Sequence, residues 1–368
     1  MSADTELVEV DVPQPPESEG AHIPDPNEND PPIGKPSALS KGLLRPRTLL
    51  SFAFALAILV YFIQRMDLDL GAVVDNIRTA NLLVLGAAIA VYVATIVLRA
   101  ARWRWMLAVA GAGNIPGTTV PPVGYLTAVL LVSWFFNCIL PAKLGDAYRI
   151  YRVKVDDGIR YSIGFGTVLT ERVIDLIVLV LMLAVSAAVA FHGDLPSDAR
   201  NALYVGIGLS VLALVGLIVL FVLRNHIEAK LPIRWRNQWQ TLQESVFVNL
   251  GRPAVPAVMS VVIWGLEASR VYLVAKSLNV HLGFEMAIFV GLMAALLTTL
   301  PFTPAGLGVV EVAVVSVLKL ADVPVDLAGS VALLDRLITY WGLIAVGATV
   351  YLYMLKWGIH QRSKPADD

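Results

Sequence analysis

Charged side chains recur inside stretches of this 368-residue chain that are otherwise apolar. Glu171, Arg172 and Asp175 stand within 163–191, Glu267 and Arg270 within 254–277, Glu311 within 305–320, and Asp335 and Arg336 near the start of 331–356. A charge at the bilayer centre costs about 2.5–3.5 kcal/mol on insertion scales, so it is kept where it faces a protein interior or a wet cavity. Glu171 and Asp175, four apart, share a helix face. Arg172 and Asp175, three apart, are placed to pair, and Glu267 and Arg270 repeat that spacing. Such a set admits two readings: ion pairs that tie helices together, or the walls of a polar cavity that holds a charged headgroup while acyl chains stay in lipid. Arginine suits the second, because its fork grips phosphate bidentately. The carboxylates would hold the arginines, or take an amino headgroup or a proton.

Two proline–glycine turns accompany these charges. One is Asn137-x-x-Leu140-Pro141-Ala142-Lys143-Leu144-Gly145-Asp146-x-x-Arg149. The other is Pro301-x-x-Pro304-Ala305-Gly306-Leu307-Gly308-x-x-Glu311. Proline breaks the helical ladder and glycine lets backbones bend and approach. In lipid, unpaired backbone survives only when buried in protein or lining water, so such a turn marks either a re-entrant tip, the favoured reading, or a tight loop at the surface. Freed amides at such a tip can bind an anion.

Other chemistries find little support. The five histidines, His22, His192, His226, His281 and His360, show no metal-ligand spacing, so no metal or other cofactor is expected. The lone cysteine, Cys138, allows no intrachain disulfide. No Walker motif offers ATP as a direct energy source. Asp156-Asp157, in a basic stretch, is the one candidate for a nucleotide-sugar site.

The elements that position these groups are membrane segments. Hydrophobic residues make up 57% of the chain and charged residues 15%, more apolar surface than a soluble protein of this length buries. Apolar segments run at 49–64, 82–100, 121–140, 163–191, 202–223, 254–277, 284–300, 305–320 and 331–356. Residues 225–251, polar but carrying Trp235 and Trp239, read as an amphipathic helix on the membrane surface. Residues 1–44 form an acidic, proline-rich tail expected to be disordered; nine acids stand against one lysine in its first forty residues. Residues 357–368 form a second tail, basic then acidic.

Basic residues set the orientation. Lys41, Arg45 and Arg47 precede the first segment, Arg99, Arg102 and Arg104 close the second, and Arg224, Lys230, Arg234 and Arg236 follow 202–223. Lys356, Arg362 and Lys364 follow the last. Both termini are therefore expected in the cytoplasm, and the loops at 192–200 and 319–326 outside. Lys143, Arg149, Arg152, Lys154 and Arg160 follow 121–140, whose preceding loop is also basic-flanked. The simplest resolution is that 121–140 enters and returns, as 284–320 does from the other side. The expected fold is an all-α polytopic membrane protein of about six to eight transmembrane helices.

An internal repeat supports it. Pro141-Ala142-Lys143-Leu144-Gly145 matches Pro304-Ala305-Gly306-Leu307-Gly308, Glu171-Arg172-Val173-Ile174 matches Asp335-Arg336-Leu337-Ile338, and Leu98-Arg99-Ala100-Ala101-Arg102 resembles Leu266-Glu267-Ala268-Ser269-Arg270. Three landmarks recur in order at an offset of 163 to 168 residues. The copies, about 82–191 and 254–356, run in opposite directions on this topology. Inverted repeats with broken helices are a recurring transporter design.

The string from Asn137 to Arg149, then Glu171-Arg172-x-x-Asp175, then Pro304 to Glu311, resembles the flippase-like transmembrane region of the lysylphosphatidylglycerol synthase family. Arg99-Ala-Ala-Arg102-Trp103-Arg104 is similar to that family's early arginine–tryptophan motif. The resemblance runs from about residue 45 to 356 and implies movement of a phospholipid, a modified phospholipid or an isoprenoid lipid across or out of the cytoplasmic membrane. The full-length synthases add a soluble acyltransferase domain for which this chain leaves no room, so synthase activity is not expected to carry over. The partners implied are membrane lipids, with no nucleic acid; the oligomeric state stays open. The alternatives are an accessory membrane subunit of an envelope pathway and, less favoured, a membrane glycosyltransferase. The candidate cavity set is Arg102, Asn137, Arg149, Glu171, Arg172, Asp175, Glu267, Arg270, Glu311, Asp335 and Arg336. The candidate turns are Pro141, Gly145, Asp146, Pro301, Pro304, Gly306 and Gly308. No catalytic residue is expected.

Overall fold

A computed structural model describes residues 69–114, 118–140, 144–192, 197–230, 232–299 and 306–356. The 1–44 tail, the 49–64 segment, the 357–368 tail and Pro141, Pro301 and Pro304 lie outside them. The described residues are helical: α1 Leu70–Arg78, α2 Leu82–Val109, α3 Val123–Ile139, α4 Leu144–Asp157, α5 Tyr161–Ala190, α6 Ser197–Val222, α7 Arg224–Lys230, α8 Ile233–Leu250, α9 Ala254–Ser277, α10 Phe284–Thr299, α11 Val309–Leu320 and α12 Val325–Arg336. A six-residue π stretch, Leu337–Gly342, joins α12 to α13, Leu343–Lys356. Among the described residues there is no strand.

Among the described residues, four helices are long and apolar enough to cross a bilayer: α2 with 28 residues, α5 with 30, α9 with 24, and the 32-residue rod Val325–Lys356. The chain is thus an all-α polytopic membrane protein. α3 and α10, with 17 and 16 residues, are apolar but shorter. At 1.5 Å per residue they fall short of a hydrocarbon core about 30 Å thick. Each packs against the helix that follows its proline–glycine turn, α3 on α4 and α10 on α11. That is the hairpin a re-entrant segment requires.

The repeat is visible in the packing. α2, α3, α4 and α5 correspond in order to α9, α10, α11 and the α12–α13 rod. α3 of the first copy packs on α13 of the second, and α10 of the second packs on α5 of the first. α2 and α9 pack along each other at the centre. The correspondence reaches further than the sequence landmarks did. α1, before the first copy, packs on α12, while α8, before the second, packs on α5. The polar contacts agree: Asn76 Nδ2 donates to Ser330 Oγ at 3.2 Å, and Ser245 Oγ donates to the Ile163 carbonyl at 3.2 Å. Each repeat therefore begins with a short helix laid across the other copy's last long one.

Three expectations need correction. The surface helix expected over 225–251 is two helices, α7 and α8, because Pro232 cannot donate into a continuing ladder and instead caps α8. The second apolar segment does not end at 100; α2 runs on to Val109 and carries the arginine–tryptophan motif inside a helix. Arg99 and Arg102 are consequently buried rather than in a loop. They cannot serve as the loop cations that orient a span, and neither can Arg149 and Arg152, which are also buried. The orientation rests on the remaining basic residues.

Candidate functional site

The first turn brings α4 back against α3. A Cβ on Gly145 would fall 1.8 Å from the Ser133 carbonyl oxygen, so only glycine permits the approach. The Gly145 amide, one of the orphan donors at a helix start, is taken by Asn137 Oδ1 at 2.8 Å. Gly308, the equivalent position in the second copy, donates its amide to Glu311 Oε2 at 2.8 Å. Its φ of +84°, with +74° at Gly306, is the left-handed backbone that glycine tolerates. The two turns thus satisfy the same amide with different side chains, one upstream and one downstream.

From these turns a chain of alternating charges runs through the protein interior. Arg172 bonds both oxygens of Asp146, at 2.9 and 2.8 Å. Arg149 lies 3.3 Å from Asp146 and 3.0 Å from Glu171. Glu171 is 3.2 Å from Arg102, which also holds both oxygens of Asp175 and touches Ser260. Arg99 lies 3.7 Å from Asp175 and 3.5 Å from Glu267. Arg270 joins Glu267, at 3.3 Å, to Asp335. Ten residues from α2, α4, α5, α9 and α12 form one connected series. Beside it, Arg336 pairs with Glu311 at 3.0 Å and donates to the Gly306 carbonyl at 3.2 Å. Six arginines face six carboxylates, so these twelve groups are neutral together.

Aromatic rings line the cationic side. The Arg99 guanidinium lies 4.7 Å from the Trp264 ring and 5.4 Å from Trp134, and Arg149 lies 5.0 Å from Trp103. Such stacking holds a guanidinium plane and partly offsets its desolvation. Trp103 Nε1 in turn donates to Thr167 Oγ1 at 3.1 Å, which fixes the ring.

All of the described candidates, Arg102, Asn137, Arg149, Glu171, Arg172, Asp175, Glu267, Arg270, Glu311, Asp335 and Arg336, therefore converge on this series or on the turns beside it. One expected pair is wrong. Arg172 does not bond Asp175; the i, i+3 spacing permits it, but Asp175 faces Arg102 on α2 while Arg172 turns outward to Asp146 on α4. Glu171 and Asp175 do share a face, since both reach Arg102, and Glu267 pairs with Arg270 as their spacing suggested. Arg99 and Ser260 were missed. For Arg99 a signal existed: it aligns with Glu267 in the repeat, an unusual exchange of opposite charges.

The symmetry extends to the bonds themselves. Arg102 with Glu171 corresponds to Arg270 with Asp335, while the counterparts Arg172 and Arg336 each pair with a carboxylate just past a glycine-rich turn, Asp146 and Glu311, at positions two residues apart in the repeat. Ser260 Oγ donates to Asp175 Oδ1 at 2.9 Å, and its counterpart Tyr92 donates to the Thr339 carbonyl at 3.4 Å. Arg99 and Glu267 are counterparts that touch each other, so the pseudo-twofold axis passes between them. Exposure breaks the symmetry. The Arg172 side chain is 39% exposed and Asp146 17%, against 8% and 5% for Arg336 and Glu311.

Asp156, the sugar-site candidate, is fully buried; it pairs with Arg152 at 2.6 Å and accepts from Tyr125. Among the described residues no cluster of His, Cys, Asp and Glu could hold a metal.

Two copies of a broken-helix hairpin, swapped across each other around buried arginine–carboxylate pairs, define a polytopic membrane protein of inverted-repeat type. The chain belongs to the family described as the lysylphosphatidylglycerol synthase TM region, which it matches over residues 48–347. It is similar to the UPF0104 membrane protein MJ1078 of Methanocaldococcus jannaschii, 34% identical over 226 residues, covering 59% of this chain and 93% of that one. It is also similar to a UPF0104 membrane protein of Methanothermobacter thermautotrophicus, 24% identical over 317 residues, covering 81% of this chain and 91% of the relative. A third relative is the glycosyltransferase AglD of Haloferax volcanii, 26% identical over 321 residues; the match spans 76% of this chain but half of that protein.

Proposed function

We propose that this chain moves a lipid across or out of the cytoplasmic membrane, with both termini on the cytoplasmic side, and that the headgroup passes along the arginine–carboxylate series. The observation that carries the proposal is the series itself: ten charges, alternating in sign, six of them buried and Asp146, Arg172, Glu267 and Asp335 partly so, in a protein that otherwise offers lipid an apolar face. Ionisable groups held inside a membrane protein at such cost mark a pathway more often than a scaffold. Alternation suits a headgroup that bears a phosphate and an amine together. The phosphate takes an arginine fork from its carboxylate, and the freed carboxylate takes the amine or a proton. Movement is passive, or coupled to a proton or the membrane potential. The partly exposed Arg172–Asp146 pair is the entrance.

The test is reconstitution. Purified protein in liposomes with fluorescent phospholipids should carry lipid between leaflets, and Glu171→Gln and Arg172→Gln should abolish movement while the protein inserts and stays monodisperse. If activity falls only as folded protein falls, and paired charge swaps restore both, the charges are structural ties and the chain is an accessory membrane subunit. The name of the AglD relative favours a second reading, a membrane glycosyltransferase. Sugar transfer to lipid by the pure protein, lost in Asp156→Ala, would establish that reading instead; none is expected.

A further inference from the structure

Arg99 is held loosely for a member of the series. Its carboxylate contacts are 3.5 Å to Glu267 and 3.7 Å to Asp175, whereas Arg102, Arg149 and Arg172 each hold a carboxylate at 3.0 Å or less. Two indoles flank the Arg99 guanidinium, Trp264 of α9 at 4.7 Å and Trp134 of α3 at 5.4 Å. Stacking of this kind fixes the guanidinium plane and leaves its edge free to donate.

Two donors of the stack are unused. Arg99 Nε and Trp264 Nε1 are buried, in residues only 7% and 8% exposed, and neither has a hydrogen-bond partner in the protein. A buried N–H without an acceptor is costly, so native interiors supply one from protein, water or ligand. The neighbouring indole shows the contrast: Trp103, stacked on Arg149, gives its Nε1 to Thr167.

The stack stands midway along the series. Trp264 lies one turn after Ser260, which touches Arg102 and Asp175, and one turn before Glu267 on the same helix. At the offsets of the repeat, the counterparts of Trp264 and Trp134 are Ile96 and Leu297. The architecture shared by the two copies therefore does not call for the two rings.

We infer that the Arg99–Trp264 stack is a phosphodiester site, in which Arg99 Nε and Trp264 Nε1 donate to the non-bridging oxygens of a lipid phosphate. Trp264 is then a specificity-determining residue. The inference rests on the headgroup path proposed above and names the place along it where the phosphate is held. Glu267, released from Arg99, takes the lipid's amine or a proton.

Fluorine on an indole reports the hydrogen bonding of that ring. Full-length protein is labelled with 5-fluorotryptophan, and the Trp264 resonance is identified by its absence from Trp264→Phe. Should that variant fold poorly, Trp→Phe variants of the other seven of the eight tryptophans identify it by elimination. In detergent, water-soluble dihexanoyl phosphatidylglycerol and dihexanoyl phosphatidylethanolamine should both shift the resonance saturably, because they share the phosphodiester. Dihexanoylglycerol, which lacks it, should not. Glycerophosphoglycerol, the phosphodiester without acyl chains, should act only at far higher concentration. In equilibrium dialysis with labelled dihexanoyl phosphatidylglycerol, Trp264→Phe should raise the half-saturating concentration about tenfold, the loss of one hydrogen bond to a charged group. An equal shift with dihexanoylglycerol marks ordinary contact with lipid and overturns the inference. An equal response to glycerophosphoglycerol overturns the assignment to lipid. Silence towards every probe means that water satisfies the two donors, and the inference fails. Lipid movement in liposomes is measured alongside: movement without a Trp264 response sinks this site and leaves the path, whereas a response without movement keeps the site and sinks the path.

Discussion

The two symmetry-related arginines Arg172 and Arg336 occupy the same place in their repeats and should respond very differently to the same substitution. Arg336 is 8% exposed in its side chain and its partner Glu311 is 5% exposed. Arg336→Gln leaves Glu311 buried with one remaining contact, the Gly308 amide, and removes the donor to the Gly306 carbonyl. Stripping one partner from a buried pair costs about 3–5 kcal/mol. Arg172 is 39% exposed, so water can reach Asp146 once the guanidinium is gone, and Arg149 still lies 3.3 Å from that carboxylate. Its pair belongs with screened, partly exposed bridges worth about 0–1 kcal/mol. Arg172→Gln should therefore leave thermal unfolding in detergent within a few degrees of the parent. Arg336→Gln should lower it steeply or fail to purify. The assay is a melting curve by intrinsic fluorescence for both variants side by side, with Glu311→Gln/Arg336→Gln as the control that removes both charges and recovers part of the loss. Equal shifts for the two single variants would refute the reasoning, because they would show that burial does not distinguish the pairs.

Gly145→Ala should destabilise the protein severely and Gly86→Ala hardly at all: the first methyl collides with the Ser133 carbonyl and the second meets nothing within 4 Å. Expression and melting temperature report the contrast. In a Cys138→Ser background, which loses only a buried thiol, a cysteine at Arg160 should react with an impermeant thiol reagent from the cytoplasmic side, and one at exposed His192 from the opposite side. Labelling of both from the same side would reject the proposed orientation.

Much of the architecture was legible in local pattern. Apolar length located α2, α5 and α9, and the doubled PAxLG string located both hairpins. What escaped was set by partners distant in sequence. α1 is nine residues of modest apolarity, and its identity as the counterpart of α8 shows only when both are seen lying on the long helices of the opposite copy. Arg99 and Arg102 looked like the end of a span because arginine usually stops one; the carboxylates that hold Arg99, Asp175 and Glu267, lie 76 and 168 residues away. Arg172 was assigned to Asp175 because spacing on one helix says nothing about a second helix offering Asp146. Residue type singled out the charged groups; of the bonds among them, spacing anticipated Glu267 with Arg270 but not those between helices.

The contact between Arg99 and Glu267 has a consequence for how such a protein can be assembled. A residue sitting on a twofold axis meets its own copy, so two identical halves would place arginine on arginine or glutamate on glutamate in a buried interior. Neither arrangement is tolerable there without neutralising a group. The first half carries one net positive charge in the series and the second one net negative, so each half fits the other and repels itself. Joining the halves in one chain does more than hold them near each other: it fixes a one-to-one ratio of two unlike pieces. A half expressed alone should therefore meet a like charge in another copy of itself, whereas the two halves supplied as separate polypeptides should each meet the opposite charge that Arg99 and Glu267 present to one another.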